Sequence, residues 1–262
     1  MMLLPPLTKP LTSALLQSLN LINHGFFTRL GGVSTGEFES LNCSRFSGDN
    51  LESIQANRSR VKRSLDAGLL FSLKQIHGNN VVVIDGQSDN EKVIEADALV
   101  TCTADLALGV MGADCAGVLF ADAVNRVIGA AHGGWQGALC GVTDNVVGAM
   151  CDLGANKNHI VAVIGPAIQK QSYEVGDEFA ARFLKQSEIA CHDCFSLGEN
   201  GQGICFDLPL YLEHRLLSAA VSQVDRLTED TYADEKRFFS YRRSRHRGHQ
   251  FCGRQINAIC LK

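Results

Sequence analysis

Apolar residues in this chain gather in short runs bounded by turn residues, a spacing that predicts strands. Runs at 71–76 and 81–84 flank His77-Gly78-Asn79-Asn80 and read as a hairpin. A short run at 98–101 follows. Runs at 106–111 and 117–120 stand on either side of Gly-Ala-Asp-Cys, ending at Cys115. The run at 127–131 leads into His132-Gly133-Gly134-Trp135, and the run at 160–164 stops at Gly165-Pro166. Helical periodicity is clearest at 50–67, where Leu51, Ile54, Val61 and Leu65 share a face, at 137–153, and at 208–220 behind the N-cap candidate Asp207. A shorter helix is predicted at 177–186. Strands and helices alternate irregularly, with many hairpin-length turns. This favours an α/β (α+β) layered sandwich with mixed β-sheets over a doubly wound parallel sheet. No repeat, low-complexity segment or linker divides the chain, so a single domain over 1–262 is expected.

Composition narrows the picture. The 262 residues are 45% apolar and 20% charged, ordinary for a globular protein. A net charge of −4 gives no global case for nucleic acid or an anionic membrane, and no apolar stretch is long enough to span a bilayer. Pro5, Pro6 and Pro10 interrupt the apolar N-terminus, which reads as an entry segment and not a signal peptide. Several of the ten cysteines lie in apolar runs: Cys140 and Cys151 in a helix-like one, Cys260 in a strand-like one. These read as reduced, buried thiols and point to the cytoplasm.

The candidate chemistry lies at strand ends. His77 follows one apolar run, Cys115 sits between two, and His132 ends a fourth. Ends of neighbouring strands lie side by side, so these three can converge. Two imidazoles and a thiolate suit zinc, and three protein ligands leave a catalytic fourth position. The plainer alternative is three unrelated turn residues. Trp135 is a core plug or a base-stacking surface. Cys191-His192-Asp193-Cys194, with Cys205 nearby, is half a zinc knuckle, a redox pair or an ordinary loop. Arg242, Arg243, Arg245, Arg247 and Arg254 form a solvated basic face or a local anion site.

The chain resembles the bacterial YfiH family, described as laccase-like polyphenol oxidoreductases, peptidoglycan-editing factors and multifunctional purine nucleoside enzymes. The resemblance rests on FFTRLGGVS (26–34), SLNCS (40–44), GDN (48–50), NRSRV (57–61), KQIHGNNVVVID (74–85), EADALVT (95–101), GADC (112–115), AAHGGWQG (130–137), IGPAI (164–168), YEVG (173–176), FDL (206–208), FFSYRR (238–243) and GRQ (253–255). It implies a layered α/β fold and zinc bound by His77, Cys115 and His132. It also implies phosphorolysis of adenosine, inosine, guanosine and methylthioadenosine, with deamination of adenosine. Purine nucleosides and phosphate are the implied partners, for a monomer or small homo-oligomer. Departures are Ala116-Gly117 for Leu-Pro, Gln136 for Arg, Asp230 for a cysteine, and a longer, more basic stretch after SYRR.

Deamination maps onto a zinc site, which makes water nucleophilic, with Asp114 as candidate acid or as a residue that only orients the site. Phosphorolysis requires phosphate to be held. Arg29, Arg58 and Arg242 are candidates, with Asn42 for the ribose, against surface or supporting roles for each. Three rivals remain. A metal-independent cysteine hydrolase of cell-wall precursors would use Cys115 as nucleophile and His132 as base. A copper polyphenol oxidase is disfavoured by eight histidines and no His-x-His, although one copper could occupy the trio. A non-enzymatic zinc protein would need a fourth ligand, Cys43 or His24.

Overall fold

A computed structural model describes residues 9–89, 92–198, 201 and 203–262. Pro5 and Pro6 of the N-terminal segment, and part of the loop after Cys194, lie outside the described residues. In chain order the strands are β1 Ile22–Phe26, β2 Leu69–Phe71, β3 Val81–Val83, β4 Ala98–Thr101, β5 Leu106–Gly112, β6 Ala116–Asp122, β7 Val127–Gly133, β8 Val161–Ile164, β9 Glu174–Val175, β10 Phe195–Leu197, β11 Ile204–Phe206, β12 Gln223–Arg226 and β13 Gln255–Leu261. The helices are α1 Ala14–Gln17, α2 Leu51–Ser64, α3 Trp135–Leu139, α4 Val142–Asp152, α5 Asp177–Gln186, α6 Leu208–Ser218 and α7 Tyr241–His246.

The arrangement is layered and mixed, as the sequence pattern predicts. One sheet runs β1-β13-β5-β2, a second runs β12-β8-β6-β7-β4-β3, and a small third runs β10-β11-β9. Alternation along the strands decides the layers. Leu108, Val110 and Ile259 of the first sheet meet Leu119, Ile128 and Ala130 of the second in one core. The opposite parity of the first sheet, with Ala107, Ile256 and Ala258, packs on Val61 of α2 and on Leu65 just after it. The opposite parity of the second, with Val118, Phe120 and Ala131, packs on Val146 and Met150 of α4 and Leu212 of α6. Strands β5, β6, β7 and β13 are therefore buried on both faces.

The hairpin expected over 71–76 and 81–84 does not form. β2 pairs parallel with β5 in the first sheet, and β3 pairs parallel with β4 in the second. Short apolar runs specify strands but not partners. The segment between them crosses from one sheet to the other, its backbone donors held by Asp97 instead of a strand. His77 therefore follows a crossing segment, not a strand. β5 and β6 likewise lie in different sheets, because the chain turns sharply at Asp114 (φ 89°).

The helix expected over 137–153 is two. Gly141, at φ 78°, breaks the ladder between α3 and α4. Cys140 is exposed and Cys151 half-buried, so neither is the buried thiol expected, whereas Cys260 is buried. All ten cysteines are free. Asn50 and Asp207 cap α2 and α6, accepting from Ser53 N–H and Leu210 N–H. Strands β1 and β12 gave no pattern because polar residues, Asn23 and His24 in one and Gln223, Asp225 and Arg226 in the other, interrupt them. Among the described residues no helix is long and apolar enough to cross a membrane.

His24 carries a testable consequence. Its Nε2 accepts the Ser13 N–H at 3.0 Å, which only a neutral ring can do. Burial pushes its pKa down from 6.5 to about 4. The unfolded chain therefore takes up this proton first as pH falls. The stability this group contributes is full above pH 6.5 and is lost towards pH 4, by about 2 kcal/mol at pH 5. Denaturant unfolding at neutral pH and at pH 5 should show that loss, and His24→Gln should remove most of it. Equal pH dependence in the two proteins would refute the assignment.

Candidate metal centre

The second sheet builds most of the trio. β6 and β7 are antiparallel, with Gly117 opposite His132 and Ala116 opposite Gly133. Residues opposite each other share a face, and so do residues two apart. Cys115, two before Gly117, therefore shares the His132 face. Gly117 carries no side chain there, and a Cβ would fall 2.2 Å from Asn257 Nδ2. Ala-Gly in place of Leu-Pro thus fits this neighbour.

His77 arrives from the crossing segment in a left-handed conformation, φ 61°. Such a backbone is strained for a non-glycine residue and needs external support. Asp97, buried just before β4, supplies it. Its carboxylate accepts the N–H groups of Ile76 at 3.1 Å, His77 at 2.9 Å and Gly78 at 2.7 Å. The same carboxylate lies 2.8 Å from His132 Nδ1, and the Asp97 carbonyl accepts the His132 N–H at 2.8 Å. A carboxylate can only accept, so Nδ1 carries the proton and Nε2 is left for a ligand. Asp97 thus fixes two of the three residues. Sequence reasoning passed over it, although it stands in EADALVT.

One donor atom from each of His77, Cys115 and His132 lies within 4.8 Å of the other two. The imidazoles stand edge to face with centroids 4.8 Å apart. Gly134 closes the group: a Cβ there would sit 3.1 Å from Cys115 Sγ and 3.2 Å from His77 Cδ2. Burial works to raise the Cys115 thiol, but His132 and His77 outweigh it and hold it down to about 6. Burial works to lower His132, but the Cys115 sulfur and the Asp97 carboxylate raise it to about 9. The pair is poised as thiolate and imidazolium, the charge state that a cation replacing the imidazolium proton would take over. Thiolate, imidazoles and a carboxylate-oriented His132 fit one zinc-class ion. The donors do not fit a multicopper cluster: the two groups among the described residues that could hold an ion contain three histidines between them, His77, His132 and His214. Cys43 and His24 belong to neither group. Cys43 is fully buried and pushed up to about 12 by that burial, with Arg58 opposing, and His24 bonds Ser13.

The trio stands between two cavities. One, of about 770 Å³, is lined by His77, Cys115, Trp135, Tyr173, Arg242 and Arg245 among others. The other, of about 530 Å³, is lined by His77, Cys115, His132, Lys74, Tyr241 and Arg254 among others. Both have the size of small-molecule sites. Trp135 is wall and core at once, meeting Phe179 edge to face at 5.0 Å. Arg242 is held rigidly: its guanidinium lies over Tyr173 at 4.9 Å and donates to the Glu174 carbonyl at 2.7 Å.

The other predicted substrate residues are placed elsewhere. Arg29 donates to the Glu39 carbonyl at 2.6 Å and lines a separate cavity with Arg243 and Arg247. Arg58 is buried, donating to Leu70 O at 3.0 Å and Ser72 Oγ at 2.8 Å. Asn42 donates to Ser47 Oγ at 2.8 Å and Asp49 at 2.9 Å, and accepts the Arg254 N–H at 2.9 Å. Its amide is spent on holding the loop that presents Arg254. None of the three lines either cavity beside the trio. Asp114 lines the larger cavity, but its oxygens accept from Thr231 Oγ1 at 2.9 Å and Arg242 N–H at 2.7 Å. Burial raises its pKa, opposed by those hydrogen bonds. This is the geometry of an orienting residue. Gln136 lines the larger cavity, and Asp230 holds a turn, accepting from Ser172 Oγ at 2.6 Å and Tyr232 N–H at 2.9 Å.

Comparison with known proteins agrees with this architecture. The family model described as multi-copper polyphenol oxidoreductase laccase matches residues 23–262. A Rickettsia conorii protein named purine nucleoside phosphorylase is 35% identical over 81% of this chain and 87% of its own length. The Escherichia coli purine nucleoside phosphorylase YfiH is 34% identical over 84% of this chain and 88% of its own. The crystal structure of Bacillus licheniformis YfiH superposes with a TM-score of 0.83 at 28% identity, covering 93% of this chain and 94% of that one. A Neisseria meningitidis structure gives 0.81 at 32% identity, covering 93% and 95%. With its layered fold and its motifs matched along nearly the whole length, this chain belongs to the YfiH family of multi-copper polyphenol oxidoreductase laccase-like proteins.

Proposed function

We propose that this protein is a zinc-dependent purine nucleoside phosphorylase that cleaves adenosine, inosine, guanosine and methylthioadenosine with phosphate, and that the same site deaminates adenosine. The observation that carries the reading is the placement of His77, Cys115 and His132 beside a cavity that also holds an aromatic wall and a fixed arginine. The names of the relatives support the activity. Zinc held by the trio supplies a Lewis acid that polarises substrate groups and acidifies water. Tyr173 and Trp135 offer flat surfaces for the purine. Arg242 offers a cation for phosphate, and its rigid seat lowers the cost of ordering it on binding. Asp97 keeps His132 in one tautomer throughout. The relatives' names favour phosphorolysis over a metal-independent cysteine hydrolase built on Cys115 and His132, and the expected setting is the cytoplasm.

The test is to incubate metal-assayed protein with adenosine, with and without phosphate, and to identify products. Ribose 1-phosphate and adenine should form only with phosphate, and inosine without it. Neither product from zinc-loaded protein would sink the reading. Arg242→Gln should raise the KM for phosphate about 10- to 100-fold, the loss of a charge-assisted contact. Phosphate-independent deamination should keep its rate. An unchanged phosphate KM would remove Arg242 from the site.

A further inference from the structure

The CxxC segment at 191–194 plays no part in the trio, and the fold gives it a partner that its spacing does not show. Cys194 closes a single 3-10 turn, His192–Cys194. Its carbonyl accepts the Asp207 N–H at 2.8 Å, which ties the turn to the start of α6. That tie sets Cys194 against His214, farther along the same helix. Cys194 Sγ lies 3.8 Å from His214 Nδ1, and Asp193 Oδ2 lies 3.4 Å from His214 Nε2.

We propose that Asp193, Cys194 and His214 form a second binding site for a divalent cation of the zinc class, clamping the 191–194 turn to helix α6. One donor atom from each residue lies within 4.8 Å of the other two. Tetrahedral zinc, with bonds of about 2.1 Å to nitrogen or oxygen and about 2.3 Å to sulfur, holds its ligands about 3.4 to 3.6 Å apart. Closing the group therefore shortens the longest of these separations by no more than about 1.4 Å. The residues that must move can do so: His214 and Asp193 are 26% and 64% exposed, while Cys194 is fully buried and fixed by packing. Thiolate with imidazole selects zinc or copper over calcium or magnesium, which take oxygen ligands. Cys191, the other half of the CxxC pair, is not part of the group. The ligand pair is Cys194 with His214, brought together across two elements. The same contacts could suggest a Cys-His-Asp nucleophile, but the buried Cys194 thiol lines none of the cavities described above, so no organic substrate is placed against it. An ion can enter from the exposed His214 side. The site is remote from the nucleoside reading and does not depend on it.

Zinc counting on the full chain tests the proposal. Zinc-loaded, desalted protein should hold two equivalents, His214→Ala one, and His77→Ala/His132→Ala one. In the last variant, cobalt in place of zinc should give a thiolate charge-transfer band that vanishes when His214→Ala is added. Because His214 is partly exposed, its removal should leave the circular dichroism spectrum unchanged, whereas Cys194 variants risk the core. No zinc in the His77→Ala/His132→Ala variant, or a cobalt band that survives His214→Ala, would overturn the site.

Discussion

Alanine at His77, Cys115 or His132 is expected to strip zinc from the trio and to reduce nucleoside phosphorolysis by at least about a thousandfold, the several kcal/mol that a Lewis acid contributes to a transition state. Two ligands cannot hold a catalytic ion firmly at working concentrations. The fold should survive, because none of the three residues belongs to any of the three cores. Metal content and steady-state rates on the same preparations check this. A zinc-free variant that cleaves adenosine with phosphate at the parent rate would end the metal reading. The test also separates the hydrolase rival. In metal-free protein Cys115, held down to about 6 by its two imidazoles, should be alkylated rapidly at neutral pH. Zinc should suppress that reaction. A thiol that zinc leaves equally reactive would be a nucleophile and not a ligand.

Asp97→Asn should have the second-largest effect, although Asp97 touches neither cavity. The carboxylate accepts from three successive backbone N–H groups and from His132 Nδ1. Hydrogen bonds to His132 and Gly78 outweigh burial, which alone would raise it, and keep it well ionised. An amide of the same shape brings N–H donors to a site that supplies only donors. It must leave some of them unpaired, release the left-handed turn at His77, or flip the His132 tautomer. Loss of an orienting carboxylate costs about 10- to 100-fold in metal affinity. The buried unpaired groups should cost a further 2 to 4 kcal/mol or so of stability. Competition with a zinc chelator measures the first and denaturant unfolding the second. Parent values for both would show that Asp97 is only a turn residue.

What could be read from residues alone was mostly local. The runs at 98–101 and 127–131, the helix at 177–186 and the cap Asp207 carry their own signals, because period and capping chemistry act over a few residues. Partner choice does not. β2 and β3 look like a hairpin, yet each adds to a different sheet, since burial against the neighbouring layer outweighs a polar turn. Arg58 and Asn42 have the right chemistry for a ligand. Only tertiary contact shows that Leu70, Ser72, Ser47 and Asp49 have already claimed their polar atoms.

The sequence by itself determined the layered mixed-sheet class, the residue types of the trio and their positions at the ends of apolar runs. Its motifs placed the chain in a family. The tertiary structure decided that two chain crossings between sheets deliver His77 and Cys115 to the end of β7, and that Asp97 fixes His77 and His132 there. It also decided that Arg242 alone of the four predicted substrate residues reaches the cavity, and that Cys194 meets His214. The reason is the same in each case. A site is made of side chains far apart in the chain, and their meeting depends on strand register and sheet packing, which no local pattern encodes.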